Sequence, residues 1–292
     1  MMYETILVPV DGSDPSVAAA EEAIEIARRF DAHLSLVTAI EVPEPPDSEV
    51  VTGSDRRSLD EETARAIEWL ETHAADAGVA HETLVERGLP HDVISAAVAD
   101  LRADLVAMGT HGRTGVERVL LGSVTERFLR TSTVPVLTAH QRDEVGRFDD
   151  VLVPTDGSSC AERAVDHALA IADRCDATLH ALSAVDVQAM ASGLDMGAGL
   201  PDVIETLTDQ REDAVAAVRD RAATHGIDCE TAVFEGAPVQ AISEYVTKHG
   251  IDLVTMGTHG HSGLERLLLG SVAERTIRTS EVPVLAVPPE SE

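Results

Sequence analysis

Gly109-Thr110-His111-Gly112 is followed, nine residues later, by Gly122-Ser123-Val124, and the string returns as Gly257-Thr258-His259-Gly260 ahead of Gly270-Ser271-Val272 with the same spacing. Further upstream, Ile6-Leu7-Val8-Pro9-Val10-Asp11-Gly12-Ser13 returns as Val151-Leu152-Val153-Pro154-Thr155-Asp156-Gly157-Ser158. The offset is 145 residues between Asp11 and Asp156 and 148 between Gly109 and Gly257. Solenoid units repeat every ~20–50 residues, so a period this long marks a duplicated domain. The chain of 292 residues therefore reads as two domains, 1–140 and 150–292, joined by a linker at 141–149.

Each half alternates short apolar runs with helical patterns. Residues 6–10, 34–40, 82–85, 105–108 and 134–137 read as strands in the first half, and 151–154, 179–184, 231–234, 253–256 and 282–286 in the second. Between them, 14–29, 59–77, 91–101 and 123–130 carry apolar residues at helical spacing, with Trp69 expected in the core. Segments 42–55 and 191–201 read as loops. Strands alternating with helices predict an α/β fold whose parallel sheet is covered on both faces. In such a sheet a ligand sits beyond the carboxyl ends of the strands, where the winding reverses. Asp11 and Met108-Gly109 end the first and fourth strands, so both repeated motifs are expected to line one crevice. Pro135 and Pro283 lack a ladder donor, which predicts that the last strand of each half is an edge strand.

Composition narrows the partners. Asp and Glu number 52 against 22 Lys and Arg, for a net charge of −30, and Lys248 is the only lysine. Such a surface repels nucleic acid and anionic membranes, and its bias toward arginine is that of a salt-loving microbe, where a Debye length of ~3 Å in molar salt screens the self-repulsion. No apolar run approaches the ~20 residues of a membrane span, and the N-terminal sequence has no signal-peptide pattern. A soluble, cytoplasmic protein is expected. Cys160, Cys175 and Cys229 are an odd number confined to one half, which argues for reduced thiols rather than a disulfide framework.

The glycines carry the chemistry. Gly109 and Gly112 would let the backbone approach a ligand and take positive φ. Gly122-Ser123 opens a helix whose first amides lack intrahelical partners, a place that favours an anion. Ser123 can donate to a phosphate or cap that helix, and Asp11 can accept from an adenine amino group or ribose hydroxyls, or cap the helix after it. No lysine follows Gly122 or Gly270, so this is not a Walker loop, and no G-x-G-x-x-G fingerprint follows the first strands. Arg113 could assist the phosphates. It becomes His261 in the second copy, which predicts weaker triphosphate binding there. Glu117-Arg118 and Glu265-Arg266 read as solvated pairs. His259 and His261, without a third ligand, are not read as a metal site, and no residue is assigned a catalytic role.

The G-x2-G-x9-G-[ST] pattern, the Ile-Leu-Val-Pro-Val-Asp-Gly-Ser strand and the closing Val-Pro-Val-Leu together resemble the universal stress protein family in its nucleotide-binding branch, over nearly the whole chain as a tandem pair. The resemblance implies two Rossmann-like (adenine nucleotide alpha hydrolase-like) domains, each a five-stranded parallel sheet of order 3-2-1-4-5. It implies ATP, or ADP or AMP, with or without Mg²⁺, at the switch point. Carried over by position, Pro9 would shape the strand end, Asp11 would face the adenine and Ala39 would line the base pocket. Met108 and Gly109 would border ribose and phosphates, and Gly112, Gly122, Ser123 and Val124 would hold the phosphates. The second set would be Pro154, Asp156, Ala184, Met256, Gly257, Gly260, Gly270, Ser271 and Val272. In the resembled family the last strand pairs with that of a second subunit. The two halves are thus expected to form a built-in pseudo-dimer, with a further homodimer compatible. The implied function is a nucleotide-binding regulator of the stress response. A slow ATPase or phosphotransferase and a nucleotide-free scaffold are the rival readings.

Overall fold

The structure is a computed structural model that describes residues 2–41, 56–112, 121–140, 145–186, 200–260 and 269–290. It divides into two compact units, Met1–Arg147 and Phe148–Glu292. The first carries β1 (Thr5–Pro9), α1 (Asp14–Phe30), β2 (His33–Ile40), α2 (Glu61–Asp76), β3 (His81–Arg87), α3 (Pro90–Leu101), β4 (Leu105–Gly109), α4 (Ser123–Thr131) and β5 (Val136–Ala139). The second carries β6 (Asp150–Pro154), α5 (Ser159–Cys175), β7 (Thr178–Val185), α6 (Leu200–Thr224), β8 (Cys229–Glu235), α7 (Pro238–His249), β9 (Leu253–Gly257), α8 (Ser271–Thr279) and β10 (Val284–Val287). Within the first unit the strand order is β3-β2-β1-β4-β5, and within the second β8-β7-β6-β9-β10. The pairings in both are parallel. The expected tandem α/β fold is present.

Central strands β1 and β6 are apolar because helices cover both faces of a parallel sheet. With few aromatic residues, the fold closes by near approach. The inner face of α1 is built from Ala18, Ala19, Ala20, Ala23 and Ala27, and the sheet comes so close that a Cβ on Gly109 would lie 2.7 Å from the Pro15 carbonyl carbon. Ser13 and Ser158 cap α1 and α5 by accepting from the amides of Ser16 and Ala161. At the opposite end of the sheet, Asp104 Oδ2 accepts from the amides of Glu4 and Thr5 at 2.8 and 3.0 Å. Asp252 Oδ2 does the same for Asp149 and Asp150 at 2.9 and 3.1 Å. One carboxylate thus fixes the first strand against the fourth in each unit.

Three expectations need correction. The fifth strand begins at Val136 rather than 134, and its twin at Val284. Pro135 and Pro283 stand just outside the strands, because Ser132 and Ser280 bond both the amide and the carbonyl of Val134 and Val282 and hold those residues in a turn. Trp69 is not core: it is 40% exposed and its ring stacks on His73 at 4.0 Å. The buried stripe of α2 is Thr63, Ile67, Leu70 and Ala74, and Trp69 falls off it. The loop expected at 191–201 gives way to helix at Leu200. Residues 42–55, 141–144 and 191–199 lie outside the described residues.

The helix α5 carries His167, whose imidazole burial pushes down to about 4, helped by the Arg163 guanidinium and opposed by the Asp166 carboxylate. The unfolded chain takes up a proton near pH 6.5 and the folded chain does not. Stability is therefore complete well above that pH and falls as the pH drops through 6.5 toward 4, by about 3 kcal/mol. In urea unfolding across that window, His167→Gln is expected to remove this part of the acid sensitivity. A slope equal to that of the parent chain would contradict the assignment.

Candidate functional site

Each unit has a cleft beyond the carboxyl ends of its first and fourth strands, where a doubly wound sheet places its ligand. The first is about 600 Å³ and the second about 340 Å³, both in the ordinary range for a small-molecule site, ~300–1,000 Å³. The first gathers Pro9, Asp11, Ala39, Met108, Gly109, Gly112, Gly122, Ser123 and Val124 along its walls. The second gathers Pro154, Asp156, Ala184, Met256, Gly257, Gly260, Gly270, Ser271 and Val272. Every described residue of both expected sets lines its cleft. Arg113, His261 and the pairs Glu117-Arg118 and Glu265-Arg266 lie outside the described residues.

The reason for the glycines differs from the expected one. None of Gly109, Gly112, Gly122 and their counterparts has a positive φ; near these motifs it is Gly12 and Gly157 that do, at 84° and 80°. Space, not backbone handedness, selects the motif glycines. Gly109 meets the backbone of α1, as described. A Cβ on Gly112 would lie 2.6 Å from Asp11 Oδ2, and one on Gly260 would lie 2.7 Å from Asp156 Oδ2. A Cβ on Gly122 would lie 3.1 Å from His111 Cα, and one on Gly270 2.8 Å from the Thr258 carbonyl oxygen. The Gly122 amide donates to the Thr110 carbonyl at 2.7 Å, and the Gly270 amide to that of Thr258 at 2.8 Å. The third glycine is thus drawn against the pair of residues between the first two, Thr110-His111 in one unit and Thr258-His259 in the other.

That closure aims a helix start into the cleft. Gly122 and Gly270 are the N-caps of α4 and α8 and, having no side chain, give no side-chain cap. The first helical bond is Glu126 N–H to the Gly122 carbonyl at 2.8 Å, so the amides of Ser123, Val124 and Thr125 have no acceptor within the helix. Ser123 and Ser271 are the first helical residues, exposed and on the cleft wall, so neither is the cap. Asp11 does not cap α1 either, since Ser13 does. Instead Asp11 Oδ1 accepts from the Ser13 amide at 3.0 Å and its hydroxyl at 2.6 Å, which holds the carboxylate at the cleft. Asp156 Oδ1 accepts from the Ser158 amide at 3.0 Å.

Several residues in or behind the clefts escaped the sequence reading. Thr110 and Thr258 are buried, and their hydroxyls bond Nδ1 of His111 and His259 at 3.2 and 2.8 Å. The Thr110 hydroxyl also reaches His140 Nδ1 at 2.7 Å. Thr63 Oγ1 donates to the Asp11 carbonyl at 3.1 Å, and Arg211 donates to the Asp156 carbonyl at 2.5 Å. Thr63 and Arg211 stand 148 residues apart, the glycine offset, so the repeat itself held the signal. Asp11, Glu41 and Asp60 line the first cleft, whereas Asp156 and Arg211 line the second. The weaker second site expected from Arg113 and His261 thus meets an opposing cation on a described residue.

A profile of the universal stress protein family matches residues 2–140 and 147–288, nearly the whole chain in two copies. The chain belongs to the universal stress protein family. A universal stress protein of Methanocaldococcus jannaschii is 37% identical over 152 residues, covering 52% of this chain and 89% of the relative. A tandem-length universal stress protein of Mycolicibacterium smegmatis is 29% identical over 298 residues, covering 97% of each. The crystal structure of a universal stress protein from Archaeoglobus fulgidus superposes with a TM-score of 0.71 at 24% identity, over 97% of this chain and 98% of that one, a likeness of fold. Among the described residues no helix is long and apolar enough to cross a membrane.

The glycine geometry separates stability from site integrity. Gly109→Ala drives a methyl into helix backbone and is expected to cost about 2–3 kcal/mol. Gly112→Ala meets only the end of a carboxylate that can rotate, and is expected to cost about 1 kcal/mol or less. Urea unfolding of the two variants checks the order; equal costs would contradict it.

Proposed function

We propose that this universal stress protein binds an adenine nucleotide, ATP foremost, in each of its two clefts, and that nucleotide occupancy regulates its part in the stress response. The observation that carries the reading is the uncapped start of α4 and α8 opening into the clefts. Amides and helix dipole there offer a phosphate chain donors that need no lysine. The other end of each cleft supports a base and ribose. Val37 and Ala39 of β2 and Ile94 of α3 give the first cleft apolar walls, as Leu182, Ala184 and Ile242 do in the second. Asp11 and Asp156, held by the turns into α1 and α5, offer acceptors to an amino group or ribose hydroxyls. Family membership supports the regulatory half of the proposal, and the resemblance to the nucleotide-binding branch supports the ligand.

Calorimetric titration of the full chain with ATP tests it. Two equivalents are expected to bind. Gly122→Val and Gly270→Val, which thrust a branched side chain against the closed loop, are each expected to weaken one site at least tenfold, or ~1.4 kcal/mol. Arg211→Ala is expected to weaken the second site alone. ATP that binds neither cleft, or binds the double valine variant as tightly as the parent, would overturn the proposal. Release of ADP no faster than from the double valine variant is expected of a binder, and faster release would favour an enzyme.

A further inference from the structure

At the amino end of the second unit's sheet, away from the clefts, β7, β8 and α7 bring His180, Glu230 and His249 together. The imidazole and carboxylate ligand atoms of these three lie within 4.8 Å of one another, the one such trio among the described residues. His180 Nδ1 is 3.7 Å from Glu230 Oε2, and His249 Nδ1 is 4.0 Å from the same oxygen. We propose that this trio is a binding site for a divalent transition metal of the zinc type.

The argument begins with His180, which is 3% exposed on β7. Its Nε2 lies 3.0 Å from Asp150 Oδ1, and Nδ1 lies 3.1 Å from the Tyr245 hydroxyl. A carboxylate only accepts, so in the neutral ring Nε2 carries the proton and Nδ1 presents its lone pair to Tyr245, on the side where Glu230 stands. A carboxylate holding the far nitrogen of a ligating imidazole is the usual support for such a ligand, because it fixes the tautomer and raises basicity. Metal binding exchanges the Tyr245 hydrogen bond for a coordinate bond.

Distances and mobility fit. Bonds of roughly 2.0–2.2 Å in a tetrahedral site place ligand atoms about 3.4 Å apart, so the two edges to Glu230, at 3.7 and 4.0 Å, must contract by a fraction of an ångström, and the edge between the imidazoles, within 4.8 Å, must close to the same length. The buried His180 need not move, because the Glu230 side chain is 61% exposed and that of His249 29%, and both can turn. The His249 ring stacks on Tyr245 at 4.0 Å, which keeps it beside the site. Two imidazoles and one carboxylate suit zinc, nickel or cobalt(II) better than magnesium or calcium, and a fourth position is left to water. The net charge of −30 enriches cations near the surface. The repeat supplies an internal control: the aligned residues of the first unit are Ser35, Glu82 and Leu101, so one site per chain follows, not two.

Zinc chloride titrated into the full, chelator-treated chain is expected to bind one tight equivalent by calorimetry and to raise the melting temperature. Glu230→Gln at an exposed position and His249→Ala at a half-buried one are each expected to weaken that equivalent at least tenfold and to abolish the shift. Zinc affinities within threefold of the parent in both variants, or no tight equivalent in the parent, would overturn the proposal by assigning the metal to the acidic surface at large.

Discussion

The hydrogen bond from the Gly122 amide to the Thr110 carbonyl, with its twin from Gly270 to Thr258, holds the functional end of each unit in place. It joins the end of the fourth strand to the start of the helix after the spacer, and the 2.7 and 2.8 Å closures crowd a side chain on the donor residue, tightly at Gly122, where a Cβ would lie 3.1 Å from His111 Cα, and prohibitively at Gly270, where it would lie 2.8 Å from the Thr258 carbonyl oxygen. The missing side chain in turn leaves the next amides without a side-chain cap, on residues that line the cleft. Thus one steric demand produces both the sequence motif and the anion-favouring surface. Gly109 and Gly112 serve the same geometry from the other side, one by admitting α1 and the other by admitting the Asp11 carboxylate.

Duplication preserved that skeleton and altered what is attached to it. The carboxylate pins Asp104 and Asp252, the caps Ser13 and Ser158 and the loop closures occur in both units. Thr125, whose hydroxyl donates to the Gly109 carbonyl at 2.8 Å, is replaced by Ala273, and Pro15 by Cys160, whose thiol donates to the Val287 carbonyl at 3.3 Å. At the cleft, Thr63 gives way to Arg211. At the far end of the sheet, Ser35 gives way to His180. The two units therefore share a frame and differ in the polar groups that a ligand would meet.

Strand and helix identities, the parallel sheet and the cleft residues were legible in the sequence because period, turn residues and duplication all pointed the same way. What escaped depended on tertiary contact. Trp69 is apolar and sits in a helix, but only the packed stripe decides which side of α2 is inside. The fifth strand was misplaced because Ser132 and Ser280, not the apolar run, set its start. Positive φ is the sequence expectation for Gly109 and Gly112, whereas close contact with Pro15 and Asp11 accounts for them. Arg211 and the trio of His180, Glu230 and His249 come together only when strands and helices distant in sequence are assembled.

Residue-resolved amide hydrogen exchange, with and without saturating ATP, tests the central claim most directly. The account predicts that the Gly122 and Gly270 amides are protected in the free chain. It predicts that the amides of Ser123 to Thr125 and Ser271 to Ala273 exchange rapidly until ATP slows them. Rapid exchange at both glycines in the free chain, or first-turn amides indifferent to ATP, would contradict it.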